Sequence, residues 1–218
     1  YNFHSHEGWR SIGNGSMAPS GVSVVSYFSF LDIRAFNEYL AMENTIEFSS
    51  EAKREQYRAE VRFLRAMKYF WKVMCYGDFP FTTEVFATLE EAKIPRTDKN
   101  TILDFIKKEV SECINALPET AAAGRATRGA AQAFLTRVYL ITGDYQNTVS
   151  TAQTIMNEGK YEMPDLTYEE SFLKANQYNS EVIFTFEHNN SGGYGLWFAP
   201  YMSNNYGGWS SIVPTHSL

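Results

Sequence analysis

Few residues in this sequence have the types and spacing that bond-making chemistry needs. His4 and His6 set two imidazoles side by side. A metal site needs three or four ligands, and no carboxylate is spaced to join them, so they read as loop histidines and no metal is expected. Gly13-Asn14-Gly15 lacks the third glycine and the flanking strand and helix of a dinucleotide fingerprint. No phosphate-cradling P-loop and no G-x-S-x-G nucleophile elbow occurs. Glu90-Glu91 and Glu169-Glu170 are adjacent carboxylates. Glycosidase carboxylates must flank a bond from two sides, whereas neighbours at a helix start point apart and serve the helix dipole. Asp144 reads as a turn residue. No catalytic residue and no cofactor is expected.

The stronger signal is recognition. Residues 188–211 are dense in Gly, Asn and Ser, yet they carry Tyr194, Trp197, Phe198, Tyr201, Tyr206 and Trp209. Trp9 stands in a similar stretch over residues 1–26. Sugars have apolar C–H faces that stack on indole and phenol rings, while amide side chains meet their hydroxyls. Trp9, Tyr206 and Trp209 with Asn204 and Asn205 supply both parts, and Tyr201, Trp197 and Tyr194 complete the candidate ligand-binding set. The competing reading is that these rings only pin down an irregular segment.

The elements that would position these loops are helical. Residues 27–42 carry Phe28, Leu31, Ala35, Tyr39 and Met42 at helical spacing. Residues 50–76 form the strongest helix. Tyr57, Val61, Leu64, Met67, Trp71 and Met74 make one apolar stripe, and Phe63, Ala66, Phe70 and Val73 a second. Arg54, Arg58, Arg62, Arg65 and Lys72 share a polar face. Two stripes predict burial on two sides, as in stacked helical repeats. Gly77, Asp78 and Pro80 end the helix. After an extended connection over 81–96, Thr101-Ile-Leu-Asp104 fits a capping box opening a helix that Pro118 stops. Its inner face is apolar except at Glu109.

Thr127 caps a further helix through Thr142, with Ala130, Ala133, Phe134, Val138 and Ile141 inward. Gly143 closes it, and a partner helix runs through Val149, Ala152, Ile155 and Met156 to Gly159. This is an αα-hairpin. Ala130 and Phe134 fit the tetratricopeptide (TPR) spacing, though the full repeat is not restated. Residues 181–187 read as a strand. The fold class expected is mainly α: TPR-like hairpins in an α-α superhelix, with a loop-rich segment and a short strand after residue 160. Residues 1–218 read as a single domain, with 27–159 as helical scaffold and 1–26 and 160–218 as loop-rich, ligand-facing segments.

Composition agrees with binding. Aromatics make up 16% of the 218 residues, as fourteen Tyr, sixteen Phe and four Trp, more than a helical core of this size needs. A net charge of −6 without a basic run argues against nucleic acid. No apolar stretch of membrane-spanning length occurs. Cys75 and Cys113 read as buried free thiols, with a disulfide between their helices left open.

Several stretches resemble the SusD/RagB-like outer-membrane lipoproteins of gut Bacteroidetes. The most specific is Glu60-Val-Arg-Phe-Leu-Arg-Ala-Met-Lys-Tyr-Phe-Trp-Lys-Val-Met-Cys-Tyr-Gly-Asp-Phe-Pro. Leu31-Asp-Ile-Arg-Ala-Phe-Asn, Ile94-Pro-Arg-Thr, residues 124–145, Ser180-Glu-Val-Ile-Phe and Pro214-Thr215 are similar to further family segments. The family's lipid-bearing N-terminal cysteine and the half that usually follows Pro-Thr are not in this sequence, which therefore resembles an internal fragment.

The resemblance implies an outer-membrane protein on the extracellular face, held by an N-terminal lipid anchor. It implies capture of a carbohydrate ligand for import through a SusC-like TonB-dependent transporter, without enzymatic turnover. It also implies that Arg62 and Arg65 pair between helices, that Gly77 and Pro80 shape the turn, and that Trp9 and Trp209 lie where family ligand sites are built. Two other readings stand beside it. A helical-repeat module would bind protein or peptide on its helix faces. A glycoside hydrolase would need two carboxylates across a bond.

Overall fold

The computed structural model describes residues 2–3, 11, 14–21, 28–188, 205, 207–208 and 212–213. The chain divides into two compact units, one of Tyr1–Ser29 with Glu187–Leu218 and one of Phe30–Phe186.

The second unit is helical. Helix α1 is Leu31–Met42, α2 is Glu51–Tyr76, α3 is Lys99–Cys113, α4 is Arg128–Thr142, α5 is Tyr145–Asn157 and α6 is the single turn Tyr168–Ser171. Helix α2 lies between α1 and α3, α3 packs on α4, and α4 packs on α5. This consecutive stacking of neighbours is the mainly α, TPR-like arrangement expected. A two-stranded antiparallel ladder, β2 (Phe79–Pro80) with β3 (Arg96–Thr97), closes the connection between α2 and α3.

Local chemistry sets most of the helix ends. The Ser50 hydroxyl accepts from the Lys53 amide and starts α2. Thr127 accepts from the Ala130 amide and starts α4, and Gly143 ends it at φ 76°, a left-handed conformation that glycine adopts without a Cβ penalty. Asp144 accepts from the Asn147 amide and starts α5.

Side-chain phase departs from expectation in four places. In α1 the buried positions are Ile33 and Asn37, while Leu31 and Met42 face solvent. The tertiary partners of Asn37 dictate that phase. Its amide donates to the carbonyls of Thr82 and Glu84, and its Oδ1 accepts from Arg65. In α2 the stripe of Phe63, Ala66, Phe70 and Val73 is buried, but Trp71 and Met74 are exposed, so the C-terminal half is covered on one side. Arg65 and Lys72, expected on the polar face, are buried. In α4, Ile141 is exposed where it was expected inward.

Three other expectations change. Helix α3 starts two residues before Thr101, because Asp98 accepts from the Asn100 and Thr101 amides and takes the cap. It ends at Cys113, short of Pro118. Residues 181–187 form no strand: no neighbouring strand pairs with them among the described residues, and Phe184 instead packs edge-on against Phe63 at 5.8 Å. Cys75 is exposed and only Cys113 is buried, and both thiols are free. Burial pushes the Cys113 thiol up to about 12.

The core of this unit gathers Phe63, Tyr69, Phe70, Ile102, Ile106, Val110, Phe134 and Val138 from three helices. The Phe134 ring meets Phe70 edge-on at 5.3 Å and Phe63 at 5.8 Å, the geometry that aromatic quadrupoles favour. One polar knot is set into this core. Glu109 of α3 accepts from Arg62 at 2.6 Å and from Arg65 at 2.7 Å, and Arg65 passes on to Asn37 of α1 at 2.9 Å. Burial alone would raise the Glu109 carboxyl, but the hydrogen bonds from Arg62 and Arg65 outweigh it and hold the group below the usual carboxylate range. The pairing implied for the two arginines is thus present, and it explains the one charge on the apolar face of α3.

In the other unit, β1 (Asn2–Phe3) pairs antiparallel with β4 (Ile212–Val213), Asn2 opposite Val213 and Phe3 opposite Ile212. Among the described residues no helix is long and apolar enough to cross a membrane.

Candidate ligand-binding site

Of the eight residues nominated for ligand contact, Asn205 is described and is exposed to solvent. Trp9, Tyr194, Trp197, Tyr201, Asn204, Tyr206 and Trp209 lie outside the described residues. The backbone around them is informative. Phe3 opposite Ile212 ties the stretch that leads to Trp9 to the stretch that follows Trp209. The first-unit turn at Asn14 is built locally: the Ser16 amide donates to Asn14 Oδ1 at 3.0 Å and the Ser16 hydroxyl donates to it at 2.6 Å.

The carboxylate pairs serve local structure. Glu90 pairs with Lys93 at 2.6 Å, and Glu91 accepts from the Ala87 amide at 3.0 Å. Glu170 completes a capping box with Thr167 at the start of α6, and that hydrogen bond holds its carboxyl below the ordinary value. His4 and His6 lie outside the described residues. Among the described residues no group of three or more His, Cys, Asp or Glu could hold a metal.

Sequence reasoning missed one concave region. A cavity of about 180 Å³ lies between the 120–127 loop and residues 182–185, with Arg125, Lys160, Tyr161 and Tyr178 on its walls. The Arg125 guanidinium is already committed, since it pairs with Glu60 and lies 5.0 Å over the Tyr57 ring. The Lys160 ammonium sits 5.5 Å from the centre of the Tyr161 ring. The Tyr161 ring in turn crosses α4 at Gly129, where a Cβ would collide with the tyrosine ring and its oxygen. Gly129 in the first turn of α4 was the available signal, because a glycine within a helical pattern marks a close approach.

The groups with displaced acidities belong to the frame. Tyr69 is pushed up to about 12, first by burial. Its hydroxyl donates to the Thr82 carbonyl at 2.7 Å and accepts from the Thr82 amide at 3.0 Å. Glu109 and Cys113 sit in the helical core. What the second unit offers is a rigid scaffold, with its polar chemistry spent on holding helices and one connection in place.

Comparison with known proteins agrees with this picture. Residues 26–140 match a SusD-like family described as starch-binding associating with outer membrane. The chain is 28% identical to SusD-like protein P2 of Formosa agariphila over 94% of its own length and 44% of that protein's. It is 28% identical to SusD-like protein P25 of the same organism over 63% of its length and 27% of the relative's. Among solved structures, a SusD-like carbohydrate binding protein from Bacteroides fragilis superposes with a TM-score of 0.78 at 27% identity, over 89% of this chain and 39% of that one. A laminarin binding SusD-like protein gives a TM-score of 0.78 at 26% identity, over 88% and 44%. The chain spans less than half the length of each of these relatives.

Proposed function

Because the chain belongs to the SusD-like family, we propose that it is part of a glycan-binding protein at the outer membrane that captures oligo- or polysaccharide at the cell surface without cleaving it. The family match over 26–140 carries this reading. It is supported by solved neighbours whose names record carbohydrate and laminarin binding. In this reading the protein stands on the extracellular face through an N-terminal lipid anchor and passes its glycan to a SusC-like TonB-dependent transporter. The ligand lies against rings from the two stretches that the Phe3–Ile212 pairing ties together. Trp9 and Trp209 provide stacking faces. Tyr194, Trp197, Tyr201 and Tyr206 extend that surface, and Asn204 and Asn205 meet hydroxyls.

The test is affinity electrophoresis of the full-length protein through gels holding a panel of polysaccharides and mucin glycans, beside Trp9→Ala and Trp209→Ala. One glycan is expected to retard the protein, and either substitution to weaken binding about tenfold, the loss of roughly 1.4 kcal/mol of stacking. Retardation unchanged in both variants would show that other rings make the site. No retardation by any glycan would favour the alternative, a peptide- or protein-binding helical-repeat module. The apolar residues exposed on α5 are the observation on that side.

A further inference from the structure

The corner where the chain passes from α1 to α2 holds a second cavity, of about 170 Å³. Its walls come from Glu43 and Asn44 of the 3-10 turn that follows α1, from Ile46 and Phe48 of the connection, and from the start of α2. Two charged side chains in these walls are each only partly engaged. Glu43 is 5% exposed. Its Oε1 accepts from both Nε and Nη2 of Arg58, at 2.6 and 2.5 Å, while its Oε2 is buried with no partner. Arg54 donates through Nη1 to Glu51 at 3.3 Å and through Nη2 to Asn44, while its Nε is buried with no partner. One cavity thus has an unmet acceptor and an unmet donor in its walls, on side chains that ion pairs already hold in place. Buried polar groups are nearly always paired, so two such exceptions at one corner call for an explanation.

We propose that this corner is a second carbohydrate subsite, which takes one sugar ring through neighbouring hydroxyls. The inference rests on the reading of the protein as a glycan binder. Charge selects the class of ligand. A cation would be repelled by Arg54 and Arg58 and an anion by Glu43 and Glu51, so the occupant is neutral. It must also donate to one side chain and accept from the other, and a hydroxyl does both on one atom. Ser50 adds a third polar contact: its oxygen accepts from the Lys53 amide, which leaves its proton to donate. Phe48 and Ile46 supply an apolar wall for the C–H face of a sugar. The volume equals that of about five or six waters at roughly 30 Å³ each, which is room for one ring and not for a chain. The corner belongs to the unit Phe30–Phe186, so it shares no residue with the stretches that carry Trp9 and Trp209.

The test uses the full-length protein carrying Trp9→Ala and Trp209→Ala, titrated with the methyl glycosides of glucose, galactose and mannose and followed by saturation-transfer NMR. At least one glycoside is expected to bind. Adding Glu43→Gln, which puts an amide donor where Oε2 stands, or Arg54→Lys, which removes Nε, should weaken that binding about tenfold. Glu55→Gln also takes a carboxylate from Arg58 but lies outside the cavity, and it should leave binding unchanged. An equal loss in Glu55→Gln would overturn the subsite, because it would reduce Glu43 to a support for Arg58. Binding that survives both Glu43→Gln and Arg54→Lys would overturn it too, and would leave the glycan reading intact. The same holds if no glycoside binds while the unsubstituted protein is still retarded by a polysaccharide gel. If no gel retards the unsubstituted protein, the glycan reading fails and the subsite falls with it.

Discussion

Helices α2 and α5 are both amphipathic, yet they live in different environments. Helix α2 buries nine of its residues, among them the charged Glu60, Arg65 and Lys72. Helix α5 buries none. The difference is one of position in the stack. A helix between two neighbours must neutralise what it buries, and α2 does so by pairing Arg62 and Arg65 with Glu109. Helix α5, at the end of that series of contacts, buries no residue and faces no such demand.

The largest effect that would test this contrast is Phe63→Ala in α2. Phe63 is 1% exposed and its ring meets both Phe134 and Phe184. Truncation should destabilise the protein by about 3–5 kcal/mol in urea unfolding. A loss below about 1 kcal/mol would show that α2 is less central than its burial implies.

Next is the polar knot. The folded-state acidity of Glu109 lies below its unfolded value, so its contribution to stability is present above the unfolded carboxyl pKa. It is lost as pH falls through the lower, folded value. Glu109→Gln should therefore cost stability at pH 7, where Arg62 and Arg65 lose their counter-charge, and cost progressively less as the pH falls below about 4. Unfolding midpoints measured from pH 7 to pH 3 would show the two curves converging; parallel curves would mean that Glu109 does not titrate with folding.

The smallest effect is expected at Gln153→Ala on the polar face of α5, within about 0.5 kcal/mol by the same measurement. A larger loss would mean that this face has a partner.

The sequence disclosed what is local and concealed what is distant. Ser50, Thr127 and Gly143 could be read as helix ends because their partners lie within one turn. Glu109 stood out as a charge on an apolar face, and its arginine partners were legible in a motif. Asn37 was not legible, since its partners Arg65, Thr82 and Glu84 lie far along the chain and reverse the phase of α1. The run at 181–187 has the residues of a strand but pairs with no strand among the described residues, and side-chain type says nothing of neighbours. Trp71 and Met74 looked like core for the same reason: periodicity gives a face, and only the stack decides whether anything covers it. For the candidate site, the sequence singled out the rings and amides, and the structure contributes the ladder beside them.

That ladder also orders events during synthesis. The helical unit is one continuous stretch, Phe30–Phe186, whose contacts run mostly between successive helices. It can condense as soon as that stretch leaves the ribosome, because each hairpin closes a short loop. The other unit is assembled from both sides of it, and Asn2 must wait for Val213. Strand β1 is therefore made before the helical unit and paired only after it.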